Sequence, residues 1–248
     1  MMSFKILSAR EEQDLNYNKR SSSYKNYPKI RKIREEILPG YNRVFDLIED
    51  KKRTMKFFGF DCNCKEFGGR RCTHYYQLRR FPWRFRMAQH DILFYSDNKL
   101  LSTQKKTGRG YSSLVKFFMV WNSFEVYTNL FGISPEKFFK NLSSRKIIKI
   151  CNRIRKTDKK TNDGKYLLTE HLFLYCQSEN AEKLNFFIKG DDSHFMFYCR
   201  NIRNMFVHGE LSAGPNGLSA TSFSNLLNDL SIFFINEIKN HFLNISKL

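Results

Sequence analysis

The sequence predicts a mainly α-helical protein: a helical bundle over residues 110–248, preceded by a basic, partly irregular region over residues 1–109. Three observations carry this. Beyond residue 110 the apolar residues recur at three- and four-residue steps, the spacing of one helix face. Gly, Pro and polar clusters break that pattern at intervals that suit short interhelical loops. Charge is unevenly spread: residues 1–110 hold 25 Lys+Arg against 12 Asp+Glu, and residues 111–248 hold 18 against 12.

Residues 1–28 are polar, with "NKRSSSYKNYP" at their heart, and are expected to be loose. "PKIRKIREEILPGYNRVFDLIEDKKR" reads as two short basic helices broken at Pro39-Gly40. "DCNCKEFGGRRCTHYYQLRRFPWRFRMAQ" reads as irregular, "HDILFYSDNKLLSTQ" as a β-hairpin around Ser96–Lys99, and "KKTGRGYSS" as a linker. Leu114, Phe118, Trp121 and Phe124 then start a helix that should stop near Gly132. Pro135 and Ser143-Ser144 open the next helical pieces, through to about Lys156. "TNDGK" is a turn, "KYLLTEHLFLYCQ" and "NAEKLNFFIKG" are helices, and Asp192 or Ser193 is placed to cap the helix after them. "LSAGPNG" is a loop. The last helix carries Phe223, Leu226, Leu227, Leu230, Phe233, Phe234 and Ile238 on one face.

With 25 Phe and 12 Tyr, the chain has ample volume for a core. Its net charge of +19 points to an anionic partner, nucleic acid or an anionic surface, concentrated in the first part. No stretch is long and apolar enough to span a bilayer, and "MMSFKILSAREEQ" has too short an apolar run for a signal peptide, so a cytoplasmic protein without a membrane partner is expected. In that compartment six Cys argue for free thiols or metal ligands rather than a disulfide framework.

The helix after residue 112 has an odd stripe. Between its apolar lobes run Asn122, Glu125 and Asn129. A carboxylate there either demands a cationic partner or reaches solvent at a bundle edge. The candidate partner lies in "RNMFVHGE", from Arg203 to Glu210, where Phe195, Tyr198, Cys199, Ile202 and Phe206 form an apolar face bordered by Arg203. Arg203 and His208 stand about 140° apart on an ideal helix, so they converge only if the helix ends or bends at His208-Gly209. Arg can bind phosphate and stabilise developing charge, and His can act as general base or acid. The blander alternatives are a bundle salt bridge and a structural histidine.

Arg203-Asn204-Met205-Phe206-Val207-His208 with Gly209 resembles the Arg-x4-His signature of the HEPN superfamily, and "WNSFEVY" (Trp121–Tyr127) resembles the first bundle helix of such proteins. The resemblance covers roughly residues 110–246. It implies a metal-independent endoribonuclease of toxin–antitoxin, defence or CRISPR-associated systems, or a non-catalytic RNA-binding or scaffold relative. Arg203 and His208 would be the catalytic pair, Asn204, Asn122 and Glu125 supporting, with 2′-OH attack on the adjacent phosphate. A homodimer would supply two histidines to one phosphate. Glu210 stands where members regulated by nucleotidyltransferase antitoxins carry Tyr, so an antitoxin partner of another kind is left open.

Cys62, Cys64, Cys72 and His74 form C-x-C…C-x-H, a set that can hold a structural zinc or remain free thiols. Around and beyond it, Arg79, Arg80, Arg84 and Arg86 interleave with Phe81, Trp83 and Phe85. That pattern suits single-stranded RNA, with a solvated basic face over core aromatics as its rival; a zinc-dependent nucleic-acid-binding regulator driven by this part is a third reading of the chain. "RKIIKICNRIRKTDKK" reads as a solvated helix face.

Overall fold

The computed structural model describes residues 23–48, 73–89, 105–140, 144–158, 166–176 and 178–246. Among these the chain is mainly helical and no strand occurs. The helices are α1 (Ser23–Ile37), α2 (Tyr41–Ile48), α3 (Thr73–Gln89), α4 (Lys105–Leu130), α5 (Pro135–Lys140), α6 (Ser144–Thr157), α7 (Leu167–Leu174), α8 (Ser178–Lys189), α9 (Phe195–Val207) and α10 (Ala220–Ile245). Short 3₁₀ turns at Asp192–His194 and Pro215–Gly217 precede α9 and α10.

The two longest helices, α4 and α10, make the most extensive pairing. Their seam is aromatic. Phe234 of α10 meets Phe117, Trp121 and Phe124 of α4, and Phe124 also meets Phe138 and Phe139 of α5. Each such ring buries a large apolar area and adds edge-to-face attraction. Phe223, Leu226, Leu227, Leu230, Phe234 and Ile238 are buried on α10, as their spacing required, with Phe233 half-buried beside them. Helix α6 lies on α10, and α9 lies on α4, α7 and α8.

Several expectations need correction. The stretch read as irregular contains the 17-residue helix α3, despite Pro82 inside it. Leu78, Phe81, Phe85 and Ala88 share one face at helical steps and are buried against α4, with Phe81 in ring contact with Tyr127. Burial of that face outweighs the hydrogen bond that proline forfeits. The linker read into Lys105–Ser113 is the opening of α4. Its small residues serve close packing, because a Cβ on Gly110 would fall 2.6 Å from Ala213 Cβ and 2.9 Å from its carbonyl oxygen. Ser113 and Ser224 touch there through their hydroxyls at 2.6 Å, joining α4 to α10. Helix α1 starts at Ser23, inside the stretch expected to be loose. The core therefore draws on residues both before and after position 110. The hairpin expected around Ser96–Lys99 and the "TNDGK" turn lie outside the described residues.

Helix ends follow local chemistry. Gly132 (φ 61°) closes α4: its N–H donates to Asn129 and that of Ile133 to Thr128, the Schellman pattern. The turn Asp192–His194 is capped by Asp191, whose carboxylate accepts from Ser193 N; Asp192 is taken by Arg155 instead, and α9 has no side-chain cap. Asp158, fully buried at the end of α6, caps α7 from a distance. It accepts from Leu168 N (2.8 Å), Thr169 N (3.0 Å), the Thr169 hydroxyl and Tyr198 OH (3.3 Å). The thiols of Cys151 and Cys199 are buried and unbridged, and Cys176 is a free, half-buried thiol. No helix among the described residues is long and apolar enough to cross a membrane.

Candidate functional site

Helix α9 crosses α4 so that Arg203 meets Glu125. One terminal nitrogen of Arg203 donates to both Glu125 oxygens at 2.7 Å, and the other donates to Asn204 Oδ1 at 2.8 Å. Both partners are about three-quarters buried, with 25% and 29% of the side chains exposed. This is the pairing the polar stripe demanded. The guanidinium's Nε is buried without a hydrogen bond. Asn122, half-buried one turn before Glu125, makes no hydrogen bond to Arg203. Asn204 turns toward Arg203 rather than staying with His208 on a separate face.

The helix ends where the glycine required. His208 (φ −81°, ψ 1°) is the last half-helical residue, and Gly209 follows at φ 75°. Gly209 N donates to Phe206 O and Glu210 N to Met205 O, a complete Schellman closure. His208 and Val207 are left exposed, and the His208 ring makes no hydrogen bond among the described residues. Phe206 packs on Phe118 of α4, ring centroids 5.8 Å apart, which fixes the last turn against the central helix.

Sequence reasoning missed one participant. His171 of α7 reaches the closing turn, its Nε2 lying 2.9 Å from Glu210 O, two residues past His208. With a carbonyl as partner, that nitrogen carries the proton. No local spacing links positions 171 and 210, so only the folded chain brings them together.

The basic helix α3 is arranged differently from a stacking platform. Phe81 and Phe85 are core, and Trp83 is half-buried under Arg34, 5.8 Å from its ring centroid. Arg80, Arg84 and Arg86 are exposed on the outer side, which leaves cations and no freely offered ring among these positions. The Arg79 side chain lies outside the described residues, as do Cys62, Cys64 and Cys72 and the side chain of His74. Among the described residues no group of three or more His, Cys, Asp or Glu could hold a metal.

No protein-family model, curated protein or solved structure matches this chain.

Proposed function

We propose that the protein is a metal-independent endoribonuclease of HEPN type, acting as a homodimer and serving as a cytoplasmic toxin or defence effector under the control of an antitoxin protein. The observation that supports this most is the end of α9: an exposed imidazole at a fixed helix terminus, five residues after an arginine clamped by Glu125 and Asn204. In the reaction, His208 of one copy takes the proton of a ribose 2′-OH as O2′ attacks phosphorus. The P–O5′ bond breaks, and the leaving oxygen takes a proton from the imidazolium of the second copy. The products are a 2′,3′-cyclic phosphate and a 5′-OH. Arg203 stabilises the charge on the phosphorane through its guanidinium. The test is cleavage of mixed RNAs by the wild type and by His208→Ala. Wild-type cleavage that persists in EDTA, is lost in the variant and requires the dimer supports the reading. Cleavage unchanged in His208→Ala sinks it.

A second reading is favoured by how fully Arg203 is engaged. Its charge is largely offset by Glu125, so the pair can serve as a staple in a non-catalytic RNA-binding or scaffold protein. Tight RNA binding without cleavage by the wild type would select it.

A further inference from the structure

We infer that the outer ridge of α6 is a docking surface for the sugar–phosphate backbone of single-stranded RNA. The ridge consists of Arg145, Lys149, Asn152 and Lys156, all exposed. At 100° per residue they fall within a sector of about 60°, and they run roughly 16 Å along the helix. The opposite side of α6, with Ile150, Cys151 and Ile154, is buried.

What sets the ridge apart from an ordinary solvated face is how its neighbours are used. The cations flanking it are committed within the fold. Lys146 bonds Glu237 at 2.8 Å, Arg153 bonds Asp229 at 2.8 Å, and Arg155 bonds Asp192 and Phe187 O while lying over the Phe187 ring. Arg145, Lys149 and Lys156 have no carboxylate partner among the described residues. The α10 carboxylates beside the ridge, Asp229 and Glu237, are spent on the flanks. Arg145 also stands in the first turn of α6, which contains no acidic residue. A cation there opposes the helix dipole and lowers stability, whereas an anion bound beside it would be favoured by both. Asn152 accepts from Arg155 through Oδ1, leaving its NH₂ to donate to a phosphate or 2′-hydroxyl.

An anionic membrane fits less well. Surface-lying helices need an apolar face turned outward, and the only exposed apolar side chain of α6 is Ile148. Choosing RNA as the polyanion rests on the proposed function, but the ridge is tested by binding alone.

The experiment is fluorescence anisotropy of the full chain with a labelled single-stranded RNA across a salt series. The ridge variant is Arg145→Gln/Lys149→Gln/Lys156→Gln. The control variant, Lys137→Gln/Lys140→Gln/Lys189→Gln, removes the same charge from exposed lysines outside both the ridge and the basic first part. Thermal melts establish that both are folded; if the ridge variant is not, Lys149→Gln alone is compared with Lys137→Gln. The ridge variant should bind more weakly, and its slope of log affinity against log salt should fall by about 2, at ~0.7 per phosphate contact for three contacts. The control should move neither by as much. Equal losses in the two variants, no loss in the ridge variant, or ridge-dependent binding seen only with phosphatidylserine vesicles would overturn the proposal. Because the readout is binding, a ridge variant that keeps full affinity overturns the ridge alone, whereas His208→Ala cleaving like the wild type overturns the catalytic reading alone.

Discussion

At the scale of single residues, the Arg203–Glu125 pair and His208 should behave in opposite ways. Arg203→Ala strands a mostly buried carboxylate and should lower stability by about 2 kcal/mol, less than for a fully buried pair because water still reaches both groups. His208→Ala removes an exposed ring without hydrogen bonds and should stay within about 0.5 kcal/mol of the wild type. Denaturant midpoints of the two variants decide this. A second residue-level expectation concerns His241. Its Nδ1 lies 2.7 Å from Tyr127 OH among the rings of Phe131 and Phe138, and burial holds its pKa below the ordinary histidine value. The unfolded chain therefore takes up a proton first as pH falls below about 6.5, and stability drops with acidification through that window. Asp158 acts in the reverse sense. Burial raises its carboxyl, so its contribution is greatest when it is protonated and declines as pH rises through its folded value. Between about pH 7.5 and 5 the change in melting temperature should be more negative in the wild type than in His241→Gln, which lacks the titrating ring.

At the scale of elements, two glycines separate space from conformation. Gly110→Val should cost 1–3 kcal/mol, on the order of an overpacked core, because the added group meets Ala213 backbone. Gly209→Ala meets nothing within 4 Å and should cost only about 1–2 kcal/mol of left-handed strain. Urea melts of both variants check the difference. The same two positions show what could be read before the fold was seen. Gly209 was legible because a helix stop is local: apolar periodicity ends there, and only glycine suits the conformation. Gly110 was misread because "KKTGRGYSS" has a linker's composition, and what it packs against lies about a hundred residues away. Helix α3 was hidden because its stretch is dense in Cys, Arg and aromatics, which masks the helical steps of Leu78, Phe81, Phe85 and Ala88. Glu125 with Arg203 was legible because an ionised group on an apolar helix has few ways to be satisfied. His171 with Glu210 was not, since a histidine bonding a backbone carbonyl leaves no trace in spacing.

At the scale of the whole molecule, the helices before and after residue 110 share a core, and this changes how the basic first part can be tested. Removing residues 1–104 would strip Leu78, Phe81 and Phe85 from α4 and expose Tyr127. The fragment should unfold at a markedly lower temperature, or without a cooperative transition, when followed by circular dichroism. Salt-dependent RNA binding is therefore better dissected by neutralising exposed cations, such as Arg84 and Arg86 on α3, than by truncation. The buried thiols have a use of their own. Burial, with Asp192 adding to it, pushes the Cys151 thiol far above its ordinary value, and burial does the same for Cys199. Neither can be alkylated as a thiolate while α6 and α9 stay in place. Pulse labelling with iodoacetamide, read peptide by peptide, would therefore time the opening of those two helices, and Cys176 would mark the faster chemistry of a partly accessible site.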